Sequence, residues 1–465
     1  VRIELPIATY ELPTPQAGCQ RLLNCFIEEA QTGKQRTLLR RSCGIASFGE
    51  VTGSSVRGLD VMNGVLYAVV GTGLYSIDEN GDETQITGTI PGSTRVRMKN
   101  NGTDMIINLP DGTAYQTDGV TNVTEIVDST FTGWLGCDVD YLDSYFVFRR
   151  PGTEQFFNTG PAEISFDALD ITAADGAPDD VVGLIVNNRE LILAGENTVE
   201  RWYNAANQPP GSPFSRSPSG FHEIGCAAGA TLCSQDNSPF MLASDKTFRR
   251  LDSNWQRVSQ HGIEAVINRL SAISDGFAIP FTQEGHLCVA FTFPSAARTL
   301  VFDATTQQWH ERDSLGHGAW RVNCIANVYG KQIVGDSLSG KLGYLDSDTF
   351  EEWGEPQRVS WTYQSIYADR NRASHRRFEL VVAAGQGLVT GQGSNPLATL
   401  KASDNGGETF VSRPVRSLGV RGNYEARAVW WNLGTSPNRV YKVDVTDPIP
   451  LFAIDTQIEA EGARF

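Results

Sequence analysis

No stretch of this 465-residue chain approaches the roughly 20 consecutive apolar residues that a membrane-spanning helix needs. Its opening, VRIELPIATYELPTP, shows no basic segment followed by an apolar one, so no secretion signal is read there and a soluble chain is expected. A basic surplus is also missing. Lys and Arg number 38 against 54 Asp and Glu, for a formal charge of −16. Sequence-independent DNA binding draws most of its affinity from neutralised phosphates, so this balance argues against a tight grip on DNA. Only four methionines stand against 46 glycines, a ratio that favours short strands and tight turns over helix bundles. None of the eight cysteines (19, 25, 43, 137, 226, 233, 288 and 324) forms a CxxC pair or a zinc-finger spacing with histidine. Cys288 in HLCVAF and Cys324 in RVNCIA sit inside apolar runs, where a free thiol behaves as a small hydrophobe. Reduced, buried cysteines are expected.

What the sequence does contain is repetition. A short apolar strand, a polar turn, a strand of large apolar residues, a glycine-bearing turn and a third strand recur seven times. The units are Val56 to Gly81, Arg95 to Gly119, Cys137 to Gly160, Val181 to Asn204, Ala227 to Asp252, Gly276 to Trp309 and Trp320 to Asp346. Their spacing of roughly 40 to 48 residues is that of β-propeller blades. Runs such as ELILA (Glu190–Ala194) and LCVAF (Leu287–Phe291) suit strands buried on both faces. The fold class is therefore all-β: a propeller of six or seven blades, seven favoured, in preference to one or two sandwiches.

Two flanks depart from the repeat. Residues 1–50 carry strand-like segments that pack on or close the propeller assigned to 51–354. From 355 to 465 a glycine-rich stretch, GQGLVTGQGSNP at Gly385–Pro396, precedes LATLKAS, ETFVSRPVRSL, YEARAVWWNLG and RVYKVDVTDPIPLFAID. These four segments predict a C-terminal antiparallel β-sandwich with a flexible or protruding loop. One helix is predicted, in SQHGIEAVINRLSA, with Ile263, Val266, Ile267 and Leu270 at helical spacing and Ser259 as its cap.

Chemistry is sparse. SDNGGETF (Ser403–Phe410) resembles the Asp-box turn of sialidase propellers, but it occurs once, with Asn405 where Asp is usual, and outside the repeats. No pair of carboxylates is singled out for glycoside hydrolysis, so a hairpin in which Asp404 and Asn405 bond their own backbone is expected. DENGDE (Asp78–Glu83) starts like a calcium loop, yet Thr89 occupies the twelfth position where a bidentate Glu belongs; a solvated turn is expected. Six scattered histidines (His222, His261, His286, His310, His317, His375) make no metal motif, and surface placement accounts for His310 and His317. GQGLVTG misses the dinucleotide fingerprint, and nucleophile-elbow and Walker A patterns are absent. No catalytic, cofactor-binding or metal residue is assigned. Basic clusters occur at Arg40–Arg41, Arg149–Arg150, Arg249–Arg250 and Arg370–Arg377. They are read as pairing with the surplus acids, with the last a possible protein contact ahead of DNA.

Several segments, in order, resemble the phage stabilisation proteins of short-tailed phages, the tail nozzle or hub that plugs the tail tube. They are NCFIEEA and LLRRSCGIASF near the start, where Cys43 stands in place of the family's proline, and VRGLDVMNGVLYAVVGTGLYSID. PDDVVGLIVNNRELILAGENTVERWYN, HEIGCAAGATLC, LVFDATTQQWHER and the whole KASDNGGETF…PIPLFAID ending follow. The resemblance covers most of the chain. It implies a non-enzymatic virion protein without cofactors, forming a homo-oligomeric ring, usually of six copies, beneath head–tail adaptor or connector proteins. The ring would hold a tail needle or plug and lie beside tailspikes or fibres. It would touch DNA only in transit, retaining the packaged genome and letting it pass at ejection. Assembly in the bacterial cytoplasm fits the expected free thiols, and an acidic lumen would not grip passing DNA. The rival reading is a propeller that binds or degrades glycans.

Overall fold

The computed structural model describes residues 2–29, 37–208, 210–367 and 371–462. From Val56 onward each apolar repeat folds as an antiparallel meander, strand after strand. In the first, Val56–Met62, Val65–Val70, Gly73–Ile77 and Glu83–Ile86 lie side by side in sequence order. The opening hairpin turns at Asn63–Gly64 with φ of 52° and 79°, the doubly positive geometry whose twist matches paired strands. The same two-residue turn opens five further meanders, at Asp143–Ser144, Asn188–Arg189, Asp236–Asn237, Glu284–Gly285 and Tyr329–Gly330. Second strands are the most buried elements: Glu190–Gly195 and Val65–Val70 are buried at every position after the first. Neighbouring meanders stack on both of their faces, which is why these strands are apolar throughout rather than alternating.

The first strands of the seven meanders are Val56–Met62, Arg97–Asn100, Cys137–Leu142, Val181–Asn187, Cys233–Gln235, Phe277–Gln283 and Val322–Val328. Each touches its neighbours in order, the fourth and fifth through the turn Gly229–Thr231, and Val322–Val328 returns to touch Val56–Met62. The propeller ring is thereby closed. The sequence repeat showed three strands per unit; the structure adds a fourth, outer strand to each. For six meanders it follows in the chain, whereas for the seventh it is Gly44–Glu50, pairing antiparallel with Lys341–Asp346. A closing strand from the distant N-terminus leaves no exposed ladder in the last sheet.

The C-terminal sandwich is built from both ends of the chain. One sheet orders Cys25–Glu29, Thr37–Arg41, Phe452–Gly462, Ala373–Val382 and Ala428–Ser436. The other runs Cys19–Leu23, Val359–Thr362, Asn438–Val445 and Leu397–Ser403. Between them lie Leu22, Ile27, Trp361, Tyr363, Phe378, Trp430 and Tyr441, all buried. The segment RVYKVDVTDPIPLFAID, expected as one strand, is two, one in each sheet; Pro448 and Pro450 fall in the crossing, where a residue without an N–H cannot extend a ladder. The glycine-rich loop is closed by the Leu388 N–H donating to the Gly393 carbonyl at 2.8 Å, with Val389 projecting at its tip, 71% exposed.

Two helical expectations change. The helix spans His261–Ile267, and Gln260, not Ser259, precedes it as cap residue without a side-chain cap bond. Ser259 Oγ is engaged elsewhere, donating to Glu264 Oε1 at 2.6 Å and accepting from the Phe248 N–H at 3.1 Å. A second helix, Ser129–Trp134, escaped sequence analysis; Asp128 caps it by accepting from the Thr130 and Phe131 N–H groups.

Candidate functional site

Ring and sandwich meet where the N-terminal strands change partners, and Asn24 is the pivot. Cys19–Leu23 joins the sandwich through Val359–Thr362 and touches the sixth meander at Leu23 and Glu311. Cys25–Glu29 then enters the opposite sandwich sheet. Asn24 makes that jump with φ of 53°, a left-handed conformation that asparagine tolerates better than other side-chain-bearing residues. It is wholly buried. Its Nδ2 donates to the Asp313 carbonyl at 2.9 Å, Asp313 Oδ1 at 3.0 Å and the Arg358 carbonyl at 2.8 Å. Its Oδ1 accepts from the Asp313 N–H at 3.1 Å.

Around this pivot the charged groups that resemble an active site are tied to one another. The buried Glu311 carboxylate takes both donors of Arg21, at 3.0 and 2.9 Å, and Arg298 at 2.9 Å. Burial alone would raise its pKa; the two arginines reverse that and hold it below the usual carboxylate range. Glu352 is the opposite case: burial pushes its pKa up despite nearby Arg312, and it accepts from Trp320 Nε1 at 3.1 Å and from Ser314 Oγ. A protonated carboxyl could serve as a general acid, but Glu352 lines none of the cavities described below. Arg41 crosses from the N-terminal strands to both bodies, donating to the carbonyls of Phe350 at 3.0 Å and Ile449 at 3.2 Å. Such groups lock two bodies at one angle; Glu311 and Glu352 line neither of the cavities described below, and of the three only Arg41 reaches the wall of one.

Openings lie elsewhere among the described residues. A cleft of about 870 Å³ lies between ring and sandwich, with Arg40, Glu284, Val389, Arg421 and Tyr424 on its walls. A cavity of about 510 Å³ occupies the ring axis and is lined by the innermost strand or turn of every meander. Among the described residues no group of three or more His, Cys, Asp or Glu is placed to hold a metal ion.

The motifs singled out in the sequence are scattered over the molecule. SDNGGETF forms the turn after Leu397–Ser403. Asn405 Oδ1 accepts from Ser403 Oγ at 2.7 Å and from the Thr409 N–H at 3.0 Å, as a hairpin requires. Asp404 does not bond its own backbone as expected. It reaches the buried Arg439 guanidinium at 2.7 and 2.8 Å, because Asn438–Val445 pairs beside the strand leading into the turn. In DENGDE, Asp78 Oδ1 accepts from the Asn80 and Asp82 N–H groups, both at 2.9 Å, in an exposed turn between strands. His310 is not on the surface; it is 2% exposed in the sixth meander, and burial lowers its pKa to about 4. His286 and His375 are buried too. His286 Nδ1 lies 2.6 Å from Asp303, which raises its pKa.

Of the basic clusters, Arg249 and Arg250 pair with Asp245, Asp236 and Asp252 at 2.7 to 3.1 Å. Arg376 and Arg377 pair with Glu461 and Glu379, both at 2.7 Å; Arg370 lies outside the described residues. All eight cysteines are free, and all but Cys19 are buried. Sequence reasoning missed Glu311, Asp313, Glu352 and Arg312, which carry no local motif. A single apolar-to-charged break at the end of a sixth-meander strand, WHERDS, was the only signal.

A family model described as bacteriophage P22 Gp10, β-propeller, matches residues 20–350. A second, described as bacteriophage P22 Gp10, β-sandwich, matches residues 358–461. No curated protein matches the chain. Solved structures of similar fold include the WD40 β-propeller domain of Doa1, 12% identical, with 65% of this chain and 97% of that one covered and a TM-score of 0.42. A catalytically inactive virginiamycin B lyase from Staphylococcus aureus with quinupristin is 9% identical, covering 64% of this chain and 97% of that one, with a TM-score of 0.43. Scores at this level carry no argument about activity.

Proposed function

The chain belongs to the bacteriophage P22 Gp10 family of phage stabilisation proteins and is a structural protein of the phage tail hub or nozzle; from that premise we propose how it works there. Copies assemble as a ring, six in number, that closes the tail channel beneath the head–tail adaptor. The ring holds a needle or plug, borders the tailspikes or fibres, and lets DNA through only at ejection. The propeller comprises residues 51–354, with each of the seven meanders a blade, and the sandwich comprises 355–465. Residues 1–50 serve both bodies. The observation that carries this reading is the tandem match of propeller and sandwich models on one chain. Its N-terminal strands stitch the two bodies into a single unit. A part that must hold pressure benefits from bodies that cannot pivot independently, since interfaces of ordinary size permit domain motion.

The protein does this without catalysis. Its most suggestive buried acids, Glu311 and Glu352, are engaged by arginine, tryptophan and serine side chains. Assembly takes place in the host cytoplasm, a setting in which free buried thiols persist. Mass measurement of the purified protein, followed by cryo-electron microscopy of virions, tests the ring. Six-fold density at the tail tip is expected, and a stable monomer absent from particles overturns it. An assay on host polysaccharide tests the absence of catalysis: turnover that disappears with one carboxylate substitution would refute it.

A further inference from the structure

The axial cavity holds charges that the pairing pattern elsewhere does not explain. Arg95, Arg97 and Lys99 alternate with Val96 and Met98 in RVRMK, so one face of this edge is basic and the other joins the ring core. Arg97 lies 3.5 Å from both Asp138 and Asp140, and Lys99 lies 2.9 Å from Asp140. These two are neutralised in place.

Arg95 is not. Its guanidinium lies over the Phe277 ring, 3.9 Å from the centroid, and its Nε is shut off from solvent without a hydrogen-bond partner. No carboxylate is within ion-pair distance of it among the described residues. Burial lowers its pKa to about 10, as expected of a cation walled by Ile279, Pro280, Cys324 and Ile325. Arg149 lines the same cavity. It donates from Nη1 to the Val181 carbonyl at 3.3 Å, and its Nε is likewise buried and unpartnered. With Arg97 and Lys99 paired to Asp138 and Asp140, the lining leaves Arg95 and Arg149 against the single carboxylate of Asp60, inside a protein of net charge −16. Asp60 is occupied by Asn100, whose Nδ2 donates to it at 2.8 Å.

A guanidinium drawn out of water without a carboxylate or hydrogen-bond partner is costly unless an anion completes it. With Cζ over an aromatic ring and Nε shut off, its two Nη groups are the donors that can meet two oxygens of one oxyanion. The volume of about 510 Å³ lies in the range of small-molecule sites. The geometry points to an oxyanion-binding site at the ring axis, in which Arg95 and Arg149 take inorganic phosphate or the phosphoryl group of a small molecule. The acidic exterior keeps polyanions such as DNA away from it, while a small ion entering the cavity meets only the local surplus.

Calorimetric titration of the full chain at constant ionic strength tests this, with inorganic phosphate in one arm and adenosine monophosphate in the other. Saturable binding is expected in at least one arm, and which arm responds separates the free ion from a phosphorylated molecule. Arg95→Gln is expected to weaken binding at least ten-fold. Arg95→Lys, which keeps the charge but not the fork, should weaken it less. Arg150→Gln, outside the cavity and bonded to Gln155 at 2.7 Å, should leave it unchanged. Should the Arg95 variants fail to fold, crystals of the unmodified protein soaked in arsenate decide the matter. Anomalous density within hydrogen-bonding distance of Arg95 supports the site, and its absence overturns it. No saturable binding in either arm, or binding indifferent to Arg95→Gln, also overturns it.

Discussion

Asn24 concentrates two demands in one wholly buried residue: a left-handed backbone and four side-chain hydrogen bonds. Replacement by alanine strains the backbone and strands buried partners. Each effect costs about 1–3 kcal/mol, so Asn24→Ala should lower stability by about 3 kcal/mol in denaturant titration. Asn24→Gly, which restores the backbone freedom alone, should recover part of the loss. Buried histidines set the pH response. His310 and His375 keep pKa values of about 4 in the fold instead of the ordinary 6.5, chiefly through burial. As pH falls from about 6.5 to 4 the unfolded chain binds protons that the folded chain does not. Each histidine then removes about 1.4 kcal/mol of stability per pH unit. His286 acts in the opposite sense: its raised pKa stabilises the fold below about 6.5, and that contribution fades as pH rises through the folded value. Denaturant titrations at several pH values should therefore show His310→Gln flattening the acid limb. An unchanged acid slope would show that His310 is protonated in the fold.

Among elements, the closing strand Gly44–Glu50 meets the first meander at a point of very close approach. Gly81 adopts φ of 90° at the end of the DENG turn, and a Cβ there would lie 2.1 Å from the Phe48 carbonyl oxygen. Gly81→Ala should therefore destabilise by more than 1 kcal/mol, the cost of a positive φ alone; thermal melting measures it. Glycine at this position looked in the sequence like a common turn residue. Its requirement comes from Phe48, 33 residues earlier in the chain, on a strand that no local pattern reveals. The Asp-box turn shows the same division. Its hairpin was legible from SDNGGETF, because Asn and Gly encode turn geometry locally. The ion pair of Asp404 with Arg439 was not, because it depends on which strand lies alongside. Asp404→Ala should leave the turn intact and lower the melting temperature of the sandwich by leaving the Arg439 guanidinium buried and unpaired.

For the molecule as a whole, shared strands imply shared stability. The sandwich draws Cys19–Leu23, Cys25–Glu29 and Thr37–Arg41 from the N-terminal segment, and Gly44–Glu50 of the same segment completes the ring. Calorimetry should show one cooperative unfolding transition for the full chain. A fragment of residues 355–465 alone should be aggregated or unfolded, since it lacks strands from both of its sheets and exposes their edges. Two separate transitions, or a folded fragment, would show that the bodies are independent.

The sequence by itself determined the all-β class, the recurrence of about seven units along the chain and the change of pattern towards the C-terminus. All of these rest on periodicity and turn chemistry, which act between residues close in the chain. Tertiary structure alone decided that the N-terminal residues divide between ring and sandwich. It also decided that His310, Glu311 and Glu352 are buried and that Arg95 faces the axis without a carboxylate. Those outcomes depend on partners hundreds of positions away, such as Leu23 beside Glu311 or Asn24 against Asp313. Burial, charge pairing and desolvation are properties of what surrounds a residue in space, and a linear pattern carries no record of it.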